Sequence, residues 1–199
     1  MSKSTPVTAI APPDRTRKEW PKHSAPATID PARFRDVLGH YPTGIVVITA
    51  MHEQAPVGMA VGSFTSVSLT PALVGFFATR ESTTWPKVRE AGTFCVNVLG
   101  EEHQDICRLF ATRGADKFAG LGWEPGDSGA PILDDAAAWI DCRLDRAEEL
   151  GDHYLALGRV VDLGAKRASG PLIFYRGDYG GYRRRSAVNG PPAAGAAGR

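Results

Sequence analysis

Val61-Gly62-Ser63-Phe64-Thr65-Ser66-Val67-Ser68-Leu69-Thr70-Pro71 is flanked by the apolar runs Val57 to Val61 and Leu73 to Ala78. Both runs are short and rich in β-branched or aromatic residues, so they read as strands that carry the segment between them. Gly62 frees the backbone to turn N–H groups toward an anion, and the Ser and Thr hydroxyls add donors that rotate to suit it. The stretch can therefore hold a phosphate without a lysine. A Ser/Thr-rich connection can also be a loop whose hydroxyls satisfy their own backbone, and the residues by themselves leave both readings open.

Working outward, Ile45 to Ala50 is a continuous β-branched run that precedes Val57 to Val61, with His52 to Pro56 as the turn. Further upstream, Asp30 before Pro31 has the form of an N-cap with proline at the first helical position. Phe34, Val37 and Leu38 then form an i, i+3, i+4 apolar stripe that ends near Gly39. Downstream, Ser82-Thr83-Thr84-Trp85-Pro86 opens a short helix that Gly92 would close, and Phe94 to Leu99 is the next strand. Glu101 to Ala111 puts Ile106, Leu109 and Phe110 on one helical face.

Gly114 to Asp135 is rich in Gly, Asp and Pro and reads as a long ordered loop. Trp139 to Arg146 alternates Ile140, Cys142 and Leu144 with Asp141, Arg143 and Asp145, which predicts one buried and one wet face. Tyr154 to Leu163 follows across a Gly151-Asp152 hairpin turn, and Leu172 to Tyr175 completes the strands. Six or seven strands with two or three short helices predict a mainly β fold, a closed or split antiparallel barrel.

The 199 residues allow one domain with tails. Residues 1–28 are Pro-rich and polar and predict a flexible arm, 29–185 the folded unit, and 186–199 a loose Gly/Ala/Pro tail. A formal net charge of +1 gives no field for nucleic acid or an anionic membrane. No apolar run is long enough to span a bilayer, and the N-terminal region lacks a signal peptide's apolar core. Cys95, Cys107 and Cys142 lie far apart, with no histidine at metal-ligand spacing, so buried, reduced thiols in a cytoplasmic protein are expected. GxGxxG and GxxxxGK are both missing, which argues against a Rossmann or P-loop domain. Nothing in the sequence marks a hydrolytic triad or a carboxylate pair, so a hydrolase or acyl transferase has nothing here to point to.

Pro42-Thr43-Gly44-Ile45-Val46-Val47-Ile48-Thr49, the Val61 to Pro71 segment and Gly151-Asp152-His153, in that order, resemble the flavin reductase family. These are FMN-binding split-barrel proteins, the short-chain reductase partners of two-component flavin monooxygenases. The resemblance runs from about Phe34 to Tyr182 and implies an FMN-binding split β-barrel with a few short flanking helices. It implies an NAD(P)H:flavin oxidoreductase that reduces FMN or FAD with NADH or NADPH, forms a homodimer, and passes reduced flavin to a partner monooxygenase.

Carried over by match, Pro42, Thr43 and Gly44 would sit by the flavin ring, and Val61, Gly62, Ser63, Phe64 and Thr65 would hydrogen-bond it through the backbone. Ser66, Ser82, Thr83 and Thr84 are then the residues for the phosphate, with Lys117 of Asp116-Lys117-Phe118 as a further point charge. His153 would meet the nicotinamide, and Tyr182 is the closing aromatic that could cover a flavin face. Gly62 departs from the polar residue that many relatives carry there, so no side-chain contact is expected from this position. Two competing readings keep the fold: an enzyme with permanently held FMN and the Gly114 to Asp135 loop as a substrate lid, or a non-catalytic flavin-binding protein.

Overall fold

The computed structural model describes residues 28–114, 116–166 and 169–183. The expected arm (but for Thr28), the tail, Arg184 and Arg185 lie outside the described residues. The first helix forms as its signals predict. In α1 (Pro31–Leu38) the Asp30 carboxylate accepts from the amides of Ala32 and Arg33. Its apolar stripe, however, stays exposed among the described residues: Phe34 is 51%, Val37 59% and Leu38 53% exposed.

Among the described residues twelve strands follow, interrupted by two more helices. They are β1 (Thr43–Gly44), β2 (Val46–His52), β3 (Ala55–Val61), β4 (Thr65–Leu69), β5 (Ala72–Thr79) and β6 (Thr93–Val98). After these come β7 (Trp123–Pro125), β8 (Pro131–Leu133), β9 (Ala138–Leu150), β10 (His153–Ala165), β11 (Ile173–Tyr175) and β12 (Asp178–Gly180). Helix α2 (Trp85–Ala91) precedes β6 and α3 (Gln104–Ala111) follows it.

Seven strands make one antiparallel sheet in the order β3-β2-β6-β9-β10-β5-β4, with β1, β11 and β12 in a second sheet and β7 and β8 in a third. The large sheet curls until its end strand β3 approaches β5. There, Ser63 spans the gap: its hydroxyl accepts from the Phe77 amide (2.9 Å) and donates to the Phe77 carbonyl (3.2 Å). One side chain thus takes the place of backbone pairing, and the barrel stays split beside it.

β2 is buried on both faces, which explains its unbroken apolar run. Val46, Ile48 and Ala50 pack inside the curl with Phe76, Trp85 and Phe94, while Ile45 and Val47 pack outward on Leu99, Phe110, Leu133 and Leu172. Two-residue turns set the hairpin registers. Glu53 and Gln54 take positive φ (49° and 64°) between β2 and β3, and Gly151 (φ 62°) with Asp152 joins β9 to β10, as expected. Gly92, at φ 69°, ends α2 as its sequence position predicts. All three cysteines are free and buried.

Four expectations need correction. The Ser/Thr-rich connection is largely a strand: β4 pairs with β5, and only its ends turn. Gly114 to Asp135 contains the β7/β8 hairpin, which is bound into the sheet. The Asn97 amide oxygen accepts from the Leu133 amide (2.8 Å), the Thr49 hydroxyl donates to the Pro131 carbonyl, and Asp141 accepts from the Ser128 amide (2.7 Å). That use also explains why Asp141, assigned by alternation to the wet face, is fully buried. Finally, α3 begins three residues after Glu101, because the Glu101 amide donates to the Gly170 carbonyl (2.8 Å) and Gly100 bridges Pro171.

Candidate functional site

The split between β3 and β5 opens a cleft of about 460 Å³. One wall is Met59 to Ser63, the other Phe77 to Thr79, and one end is closed by Ser82 to Thr84, the end of α3 and Lys117, with the exposed side chain of His153 beside Thr79 at the mouth. A second hollow of about 450 Å³ adjoins it, lined by Tyr41 to Gly44, Gly62 to Thr65 and Phe77. Gly62, Ser63 and Phe77 border both, so the two form one elongated groove. A Cβ on Gly62 would lie 3.1 Å from the Thr43 hydroxyl, and the missing side chain is what lets β1 come this close.

Of the residues singled out by sequence, Pro42, Thr43, Gly44, Phe64 and Thr65 line the outer hollow, and Val61, Ser82, Thr83, Thr84, Lys117 and His153 the inner cleft. Ser66 lines neither; it is exposed on β4, paired with Val74 of β5. Tyr182 lies beyond β12 and is 64% exposed. The hydroxyls also divide by duty. Ser82 accepts from the amides of Thr84 and Trp85, and so is a cap, while Ser63 is bound to Phe77 and Thr65 donates to the Ser66 carbonyl. Among the described residues, the hydroxyls of Thr83 and Thr84 have no hydrogen-bond partner.

Two cations stand at this end. Lys117 donates to the carbonyls of Phe110 (2.9 Å) and Gly58 (3.1 Å), which leaves one N–H, and burial lowers its pKa from the ordinary lysine value. Arg113 carried no signal in the sequence pattern. It follows α3 and reaches over the cleft to the Glu81 carboxylate, 3.9 Å away. Phe77 and Thr79, equally unmarked in the sequence, and Phe110, expected on the apolar face of its helix, complete the apolar and polar walls.

His153 begins β10, with its Nδ1 2.7 Å from the Asp152 carboxylate. The Asp152 pKa is lowered by that hydrogen bond and by the charge of the ring. The sign follows: the contact is intact at neutral pH and is lost as pH falls through the carboxylate range. Asp152 thereby fixes the ring's orientation at the cleft mouth.

Among the described residues no group of His, Cys, Asp or Glu could hold a metal ion. The arrangement combines an apolar slot with exposed backbone, a hydroxyl-and-cation end and a histidine at the mouth. It suits a flat conjugated ring that carries an anionic tail, and a flavin fits that description.

Comparison with known proteins points the same way. Residues 38–183 match the flavin reductase like domain. The chain is 50% identical over 157 residues to a flavin reductase of Pseudomonas putida, covering 78% of this chain and 92% of that protein. It is 46% identical over 167 residues to HsaB, the reductase subunit of a flavin-dependent monooxygenase of Rhodococcus jostii (strain RHA1), covering 84% and 86%. Among solved structures, nitrilotriacetate monooxygenase component B from Mycobacterium thermoresistibile superposes with a TM-score of 0.74 at 44% identity, covering 76% of this chain and 86% of that one.

Proposed function

The chain belongs to the flavin reductase family, and from that premise we propose that it reduces FMN or FAD with NADH or NADPH and releases the product to a flavin-dependent monooxygenase. The observation that carries this reading is the groove itself. It combines, among the described residues, an apolar slot with hydroxyls and cations, the features that hold a flat ring with an anionic tail. The flavin ring, when bound, supplies the hydride chemistry, accepting at N5 from the nicotinamide C4.

The chain's own residues bind and orient. Backbone of Gly62 to Thr65 faces the ring, Phe77 forms the opposing wall, and Thr83, Thr84, Lys117 and Arg113 hold the phosphate. Ser63 keeps the slot at a fixed width through both of its bonds to Phe77. His153 positions the nicotinamide rather than moving a proton, since hydride transfer needs no base. His153→Ala is expected to lower kcat/KM for NADH about tenfold, roughly 1.4 kcal/mol, while flavin affinity stays unchanged in a fluorescence titration. Equal loss for both substrates would remove His153 from this role.

The apolar stripe of α1, exposed among the described residues, and Leu69, 92% exposed at the tip of the β4/β5 hairpin, support a homodimer. Sedimentation velocity is expected to give twice the chain mass, and a monomer at micromolar concentration would overturn this. Among the described residues no helix is long and apolar enough to cross a membrane, and the reading puts the enzyme in the cytoplasm beside the reduced nicotinamide pool.

The test of release is anaerobic. After incubation with NADH and excess flavin, protein-free ultrafiltrate should contain reduced flavin. Flavin reduced only in the retained fraction would mean a held cofactor instead.

A further inference from the structure

The groove does not stop at its hydroxyl-and-cation end. Beyond Thr83, Thr84 and Lys117 a further cleft of about 360 Å³ opens, bordered by Pro56 and Val57 of β3, Lys87 of α2 and Phe118. The three residues at the junction are also the ones that hold the anion in the main cleft. The rest of its lining brings together Lys87, exposed and, among the described residues, without an ion-pair or hydrogen-bond partner, and a wall of Pro56, Val57 and the half-buried Phe118. Asp116 also borders this cleft, but its carboxylate accepts from the Phe118 amide (3.2 Å), and the two lysines outnumber it.

A flavin mononucleotide ends in its single phosphate at the junction and leaves the further cleft with nothing to hold. A ligand that continues through a second phosphate to a purine needs both a free cation and an apolar, aromatic wall, and this cleft supplies both. From this juxtaposition we infer that the preferred flavin is the dinucleotide, FAD, with its second phosphate facing Lys87 and its adenine against Val57 and Phe118. The inference rests on the reading of the main cleft as a flavin site and deepens it to one flavin.

The experiment compares initial rates of NADH oxidation by the full-length protein with FAD and with FMN. It adds ADP as a probe of the non-flavin half, with NADH saturating. The expected result is a kcat/KM for FAD about tenfold or more above that for FMN, with ADP competitive against FAD. Lys87→Glu should lower the FAD-to-FMN ratio about fivefold or more, because it places a carboxylate where the second phosphate belongs. A ratio near one, no effect of ADP, or a Lys87→Glu variant with an unchanged ratio would overturn the inference while leaving the flavin reductase reading intact. Turnover of neither flavin would overturn both.

Discussion

Thr83→Ala combined with Thr84→Ala weakens flavin binding about 10–100-fold in a fluorescence titration, because each hydrogen bond to a charged group contributes roughly 1.5–3 kcal/mol and exposure reduces the sum. The expectation rests on the division of hydroxyls at the cleft's end. Ser82 is committed to the amides of Thr84 and Trp85, Ser63 to Phe77, and Thr65 to the Ser66 carbonyl. Among the described residues, the hydroxyls of Thr83 and Thr84 are the ones left at that end to meet an anion. Ser66→Ala serves as the contrast, since Ser66 lines neither part of the groove, and its affinity should match the parent protein's. Were Ser66→Ala to weaken binding while the double variant did not, the phosphate end would have been placed on the wrong side of β5.

The second large effect concerns the barrel itself. A Cβ on Gly158 would stand 2.4 Å from Phe94 Cζ and 3.1 Å from Cys142 Cβ. Phe94 is fully buried and packs edge-on against Phe76 (5.4 Å between centroids), so its ring has no free space to retreat into. Gly158→Ala is therefore expected to destabilise by about 2 kcal/mol and to lower Tm by about 4–8 °C. Gly180→Ala, at a position with no heavy atom within 4 Å, is the matched control and should leave Tm in place. Equal Tm for all three proteins would show that the core between β9 and β10 is looser than these distances require.

Much of this architecture was legible because local chemistry and tertiary packing agree. Asp30 and Pro31 begin α1 where a cap and a fixed φ predict it, and Gly92 and Gly151 sit at positive φ where the chain must turn. The misreadings have a common physical cause, namely polar groups satisfied at long range. The hydroxyls from Ser63 to Ser68 suggested a loop, but β5 supplies the backbone partners that make β4 a strand. Asp141 belonged by alternation with solvent, yet the Ser128 amide and hydroxyl draw it inward. Likewise Asn97 and Thr49, more than eighty residues' separation being bridged in the latter case, hold the β7/β8 hairpin that composition presented as a loop.

At the site, the outer and inner walls of the groove contain most of the residues that the motifs named. The motifs could not identify Arg113, whose approach to Glu81 is a contact between residues far apart in sequence. Nor could they separate Ser82, a cap, from the neighbouring threonines with unengaged hydroxyls. The position of the Gly114 to Asp135 segment also bears on the competing enzyme reading. Ala130, Ile132 and Leu133 are buried in the packed interior, so that end of the segment belongs to the core and not to a lid.

The central claim is that flavin enters and leaves this groove as a substrate. It is tested most directly by following NADH and NADPH oxidation by the purified, flavin-depleted protein as free FAD or FMN is added. The account predicts negligible turnover without flavin and a rate that rises to saturation as flavin is titrated in. A yellow protein whose flavin resists removal, and whose activity is indifferent to added flavin, would contradict it.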